Sequence, residues 1–253
     1  MIFDTHAHYD DEQFDGDRDE LLKSMPDLGV ETIVDVSATY ESCEKVLALA
    51  GKYPHVYAAI GVHPDEVGEL NEDKIQHMKE LCRNKKVVAV GEIGLDYYWD
   101  NEPHEVQQKW FIRQLELAGE VKKPVIIHSR EAAADTMYIM KNYAQGLGGV
   151  IHCYSYSREM AEEYVKMGFY IGIGGVVTFK NAKKLKDVAT AIPIEKIVLE
   201  TDCPYMAPEP YRGKRNQSSY IRYVAEKIAE LKEMSPEEVI AVTEKNARDL
   251  YGI

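Results

Sequence analysis

The sequence predicts an α/β fold: eight parallel strands closed into a barrel, helices outside, formed by one domain over residues 1–253. Short β-branched runs alternate with helix-like segments along the whole chain. About eight such runs can be counted, the number a closed β/α barrel requires. No composition shift, low-complexity run or Pro/Gly/Ser linker divides the chain, and nothing repeats beyond the β/α period itself. At 253 residues the length matches a barrel of this kind, which runs to about 250 residues as a single unit.

The first run is Ile2 to Thr5, followed by a helical pattern from Asp17 to Leu28. Thr32 to Val36 and the helix Glu41 to Lys52 form the second unit, and Val56 to Gly61 with Asn71 to Arg83 the third. Val87 to Gly91 is the fourth strand. A longer connection carrying Tyr97-Tyr98-Trp99-Asp100 separates it from the helix Glu105 to Val121, as expected of a loop that shapes a site. The remaining strands are Val125 to Ile127, Val150 to Ile151, Phe169 to Ile173 and Ile197 to Leu199. Their intervening helices are Glu131 to Tyr143, Ser157 to Met167 and Ala182 to Ala191. A tail from Ser218 to Met234 and on to Leu250 completes the outer layer; Ser235-Pro236-Glu237-Glu238 reads as an N-cap, a proline at the first helical position and an acidic first turn.

A hydrophobic content of 45% with 29% charged residues belongs to an ordinary globular chain with material for one continuous core. Met1-Ile-Phe-Asp-Thr-His6 is not a basic leader before an apolar run, and no stretch is long and apolar enough to cross a bilayer, which predicts a cytoplasmic protein. Cys43, Cys82, Cys153 and Cys203 form no CxxC pair and read as buried thiols. The formal net charge of −13 repels nucleic acid at long range, so a phosphodiester substrate would need a local patch of opposite sign.

His6 and His8 are two apart, so on a continuing first strand their side chains point to one side and can share a metal. Glu92, His128, His152 and Asp202 each follow the apolar part of a different strand, placing all of them at the C-terminal rim where barrel enzymes gather their catalytic groups. Several imidazoles and carboxylates at one rim are costly to desolvate without a cation among them. Nitrogen and oxygen donors suit Zn²⁺, Mn²⁺, Fe²⁺ or Co²⁺, with Mg²⁺ less at ease. There are more ligands than one tetrahedral ion with an open position needs, which makes two divalent metal ions bridged by Glu92 the economical arrangement.

The blocks Phe3-Asp4-Thr5-His6-Ala7-His8, Gly61-Val62-His63-Pro64, Gly91-Glu92-Ile93-Gly94-Leu95-Asp96-Tyr97, His128-Ser129-Arg130 and Glu200-Thr201-Asp202-Cys203-Pro204-Tyr205 resemble the TatD family of metal-dependent deoxyribonucleases, within the amidohydrolase-like barrels. The run from Ala207-Pro208 to Tyr211-Arg212-Gly213-Lys214-Arg215-Asn216 extends the likeness, which spans essentially the whole chain. The resemblance implies a TIM-type barrel, with His6, His8, Glu92 and Asp202 on one metal and Glu92, His128 and His152 on the other. Relatives with two metals often bridge them with a carboxylated lysine; here Glu92 stands instead, which separates the chain from phosphotriesterase-like barrels. After Asn216 the family usually has an acidic residue and a proline, whereas Gln217 and Ser218 follow here, a departure in the loop rather than in the ligands.

The expected reaction is attack of a cation-activated water on phosphorus, Asp202 accepting its proton and Glu200 orienting a ligand from behind. Its substrate is expected to be nucleic acid, single-stranded DNA attacked from an end. His63 and Arg130 are candidate phosphate contacts, and Arg212, Lys214 and Arg215 form the basic cluster that the charge argument demands. The run Lys180, Lys183, Lys184 and Lys186 could also border the mouth, but charge runs are more often solvated helix faces, and it is left unassigned. Tyr97, Tyr98 and Trp99 could stack on bases. A rival enzyme reading is a metal hydrolase of small amides, lactones or phosphoesters, since fold does not fix substrate.

Overall fold

The computed structural model describes residues 1–99 and 101–253, so Asp100 of the fourth connection lies outside the described residues. Eight strands form one parallel sheet in the order of the chain: β1 (Ile2–Ala7), β2 (Val30–Val36), β3 (Val56–Ile60), β4 (Val87–Asp96), β5 (Val125–Arg130), β6 (Gly149–Ile151), β7 (Tyr170–Ile173) and β8 (Ile197–Leu199). The sheet closes past β8: the Asp202 N–H donates to the His6 carbonyl at 2.9 Å and the His8 N–H to the Cys203 carbonyl at 2.8 Å. Helices α1 (Arg18–Ser24), α2 (Ser42–Lys52), α3 (Glu72–Leu81), α4 (His104–Val121), α5 (Ala133–Tyr143), α6 (Arg158–Lys166), α7 (Lys183–Ala191), α8 (Ile221–Lys232) and α9 (Pro236–Tyr251) follow the strands.

Alternation along the strands separates two apolar layers. Ile33, Ile60, Val125, Ile127 and Ile197 pack with the helices, whereas Phe3, Val34, Val88, Ile126, Val150 and Val198 belong to a second cluster inside the barrel. The end of α9 joins that inner cluster through Ala247, Leu250 and Tyr251; the Tyr251 ring stacks on Phe3 at 5.9 Å and its hydroxyl donates to the Thr5 carbonyl at 2.9 Å. Two residues beyond the inner apolar floor come polar groups: His128 after Ile126, His152 after Val150, Glu200 after Val198. A period of two thus carries these strands from core to site without turning the chain.

Several elements differ from expectation, among them β1 and β5, which run on to Ala7 and Arg130. The helix expected over Asp17 to Leu28 ends at Ser24, because Pro26 has no N–H to continue the ladder; a 3₁₀ turn (Pro26–Leu28) follows, and Gly29, at φ 85°, supplies the left-handed residue that turns the chain into β2. Strand β4 continues past Gly91 to Asp96, with an irregularity in its pairing to β5 between Val90 and Ile93. That extension keeps Glu92 and Asp96 on one ordered strand.

Candidate metal centre

Glu92 stands at the middle of the rim, 3% exposed, and its two carboxylate oxygens face different partners. Oε2 lies 3.3 Å from His6 Nε2 and 3.6 Å from His8 Nε2. Oε1 lies 2.7 Å from His128 Nδ1, 3.0 Å from His152 Nε2 and 3.9 Å from His63 Nε2. Asp202 Oδ1 completes the first group at 3.8 Å from His6 Nε2 and 3.5 Å from His8 Nε2. Asp202 holds this place in a left-handed backbone conformation, φ 58°.

Three of the imidazoles are aimed by a partner behind them, while the Nδ1 of His6 is buried without one among the described residues. His8 Nδ1 lies 2.8 Å from the Val36 carbonyl, which can only accept, so a proton sits there and Nε2 is the nitrogen that faces inward. His128 Nε2 lies 3.1 Å from Asp96 Oδ2, and Asp96 is itself fixed by the N–H groups of Tyr98 at 2.8 Å and Trp99 at 3.2 Å. His152 Nδ1 lies 3.6 Å from Glu200 Oε1, which accepts from the Cys153 N–H at 2.5 Å. A Cβ at residue 172, on the neighbouring strand, would fall 2.5 Å from Glu200 Oε2, so Gly172 leaves the space this carboxylate occupies. Asp4 accepts from the Thr201 N–H at 3.0 Å and hydroxyl at 2.6 Å and ties the end of β8 to β1.

The charges are mutually dependent. Burial would raise the Glu92 carboxyl, yet the His152 charge and hydrogen bonds from His128, His152 and His6 hold it well below the ordinary range. Burial likewise opposes charge on His8, but its hydrogen bond to Asp202, with Asp202, Glu92 and Asp10 nearby, raises it to about 9. His6 is pushed down by burial and by the His152 charge. Burial and the His128 charge bring His63 down to about 3. His63 Nδ1 accepts from the Asp65 N–H at 3.3 Å, which leaves the proton on Nε2, facing Glu92.

A donor set of four imidazoles and two carboxylates, with its nitrogen lone pairs turned inward, fits divalent cations of intermediate softness. Four overlapping groups have the spacing to hold one: His6, His8 and Glu92; His6, His152 and Asp202; His63, Glu92 and His128; and His63, Asp65 and Asp96. In the metal-free chain these nitrogens and oxygens can offset one another's burial only by sharing protons.

The structure brings His6, His8, Glu92, His128, His152 and Asp202 together, with Glu200 behind them and His63 beside them. All of these except His6 line a cavity of about 1230 Å³, whose lining also takes in Arg130 and Trp99. The expected basic cluster lies elsewhere. Arg215 forms a two-pronged ion pair with Asp17, at 2.8 and 2.5 Å, and packs over Phe14, while Arg212 lies over the Phe179 ring at 4.2 Å. Neither they nor Lys214 line the cavity, because the loop after β8 folds back on the β1 connection and spends its guanidinium there. Lys183 and Lys184, left unassigned from the sequence, do line it. The orienting role of Asp96 was also missed, although its place in Gly-Glu-Ile-Gly-Leu-Asp, an even step from Glu92 on an extended strand, signals it.

A family model described as TatD related DNase matches residues 3–252. YabD, an uncharacterized metal-dependent hydrolase of Bacillus subtilis, is 46% identical over 254 residues, covering 100% of both chains. YcfH of Escherichia coli, also an uncharacterized metal-dependent hydrolase, is 37% identical over 257 residues, covering 100% of this chain and 96% of its own. Among solved structures, the TatD homolog YjjV of Escherichia coli superposes with a TM-score of 0.93 at 33% identity, covering 100% of this chain and 98% of that one.

Proposed function

This chain belongs to the TatD family of metal-dependent hydrolases, and from that premise we propose that it is a phosphodiesterase acting on single-stranded DNA from an end, with two divalent cations shared across Glu92. The observation that carries the proposal is the division of Glu92: one oxygen faces His6 and His8, the other His128 and His152. One cation would be held by His6, His8, Asp202 and Glu92, and the other by His128, His152 and Glu92. Bound there, such cations supply Lewis acidity, lowering the pKa of water and offsetting charge on phosphoryl oxygens.

The chain's own groups supply position and proton transfer. Val36, Asp96 and Glu200 hold the rings of His8, His128 and His152 from behind. Asp202, the most exposed carboxylate of the six core groups at 16%, reaches the cavity and is the group to accept a proton from the attacking water. His63, neutral with Nε2–H inward, can donate to an anionic oxygen of the diester without titrating near neutral pH. Arg130 can take a second such oxygen, its guanidinium backed by the Tyr98 ring at 3.8 Å.

Metal analysis of the purified protein, with digestion of an end-labelled single-stranded oligonucleotide by wild type and Glu92→Ala, tests the proposal. Two divalent ions per chain and stepwise shortening of the oligonucleotide are expected of the wild type; the variant should lose metal and activity together. A wild type that degrades no nucleic acid with Mg²⁺, Mn²⁺, Co²⁺ or Zn²⁺ supplied would overturn the nuclease assignment.

A further inference from the structure

The mouth of the cavity is divided by charge. Asp10, Asp11, Glu12, Asp65 and Glu66 enter its lining from the connections after β1 and β3, and on that side Lys45 is the one cation among the described lining residues. On the arc from β4 to β7, the described lining residues other than Glu92 and Asp96 of β4 include no carboxylate; they include Trp99, Arg130, Lys183 and Lys184. Lys183 and Lys184 are exposed, open α7, and form no ion pair among the described residues. Arg130 lies 3.8 Å from the centre of the Tyr98 ring and 5.4 Å from that of Trp99, two aromatic side chains 54% and 58% exposed. A polyanion approaching a chain of net charge −13 therefore meets attraction on one arc only.

We infer that this arc is a binding track for a single-stranded polynucleotide, with backbone phosphates on Lys183, Lys184 and Arg130 and a base against Tyr98 and Trp99. The track presupposes the phosphodiester chemistry proposed above and adds which residues make the substrate a polymer rather than a small ester. The 1230 Å³ of the cavity exceeds the roughly 300–1,000 Å³ that drug-sized ligands occupy, leaving room for more than one nucleotide. Exposed rings take a base whose face is free, which favours a single strand, and lysines on an open helix start contact phosphates without reading sequence.

Fluorescence anisotropy with a 12-nucleotide phosphorothioate oligo(dT), titrated with metal-loaded wild type and with K183Q/K184Q, tests the track. Loss of two phosphate contacts should weaken binding about tenfold or more near 0.1 M salt and reduce the slope of log Kd against log salt by about 1.4, at about 0.7 per contact for single strands. K85Q, an exposed lysine just before β4 at the opposite end of the barrel, should bind as wild type does. Equal affinity and an unchanged slope in K183Q/K184Q, with its thermal transition intact, would overturn the track, as would a wild type that does not bind the oligonucleotide. Turnover of bis(p-nitrophenyl) phosphate by wild type separates the two ideas. Turnover without oligonucleotide binding sinks the track alone; lysine-dependent binding without turnover of any diester supports the track and sinks the hydrolysis.

Discussion

At the scale of single residues, the site depends on groups that hold other groups. Glu200 is fully buried and reaches His152 only through Nδ1, on the side away from Glu92. Glu200→Gln preserves an acceptor for the Cys153 N–H but removes the charge that fixes the imidazole, and partners of this kind are worth about 10- to 100-fold in metal affinity. Titration with Zn²⁺ should show one of the two sites weakened by that factor with the unfolding midpoint retained; two unchanged sites would contradict the orienting role. Protons compete for the same nitrogens. His8 in the metal-free chain is held up to about 9, so at pH 7 a cation must displace its proton. Apparent affinity should rise about tenfold per pH unit between 7 and 9 if one proton leaves per ion bound, and level off above. Calorimetry in two buffers of different ionisation enthalpy counts those protons, and a pH-independent affinity would contradict the coupling. His6 and His8 could be placed from the sequence because a spacing of two on a strand has one geometric meaning. Glu200 could be suspected, and the even spacing of Asp96 from Glu92 carries the same signal once β4 is read on past Gly91.

At the scale of elements, alternation did most of the positioning. The strand ends beyond Ile126, Val150 and Val198 are read from a period of two, and so is the rim to which they lead. The N-cap and acidic first turn of α9 were equally plain, and in the structure they close into a capping box: Ser235 accepts from the Glu238 N–H at 3.2 Å, and the Glu238 side chain from the Ser235 N–H at 2.9 Å. What local pattern could not carry is pairing between distant loops. Nothing around Arg215 in the sequence points to Asp17, which lies on the other side of the closing seam and takes up its charge. The lysines of α7 could not be assigned for the converse reason, since a charged helix start looks the same whether it faces bulk water or a cavity. The contact of β7 with β8 offers a test at this scale. Gly172→Ala would put a methyl 2.5 Å from Glu200 Oε2, against a carboxylate locked by the Cys153 N–H. Overpacking of this sort costs about 1–3 kcal/mol, and it should displace Glu200 and so slacken His152. A lower unfolding midpoint together with weaker metal binding is expected, and a fully stable variant with wild-type metal affinity would show that β7 leaves more room than this.

At the scale of the whole molecule, a net charge of −13 sets two ranges of force against each other. Divalent cations held at the rim, together with the lysines and Arg130 of the β4–β7 arc, would make the mouth locally attractive to phosphate, while the acidic remainder of the surface repels it. Which range a substrate feels is decided by salt. At about 0.01 M the screening length is about 30 Å, so an approaching strand senses the whole acidic chain; at about 0.1 M it is about 10 Å, and only the nearby lysines and Arg130 act; at about 1 M it is about 3 Å, and even those are screened. A basic nuclease would associate ever more slowly as salt is added, because its long-range and short-range fields have one sign. Here the association rate of a labelled single strand, measured by stopped flow, should pass through a maximum near 0.1 M and fall on both sides. A monotonic decline from 0.01 M upward would mean that the arc governs the field at every distance, and the acidic half of the rim would then have no part in steering.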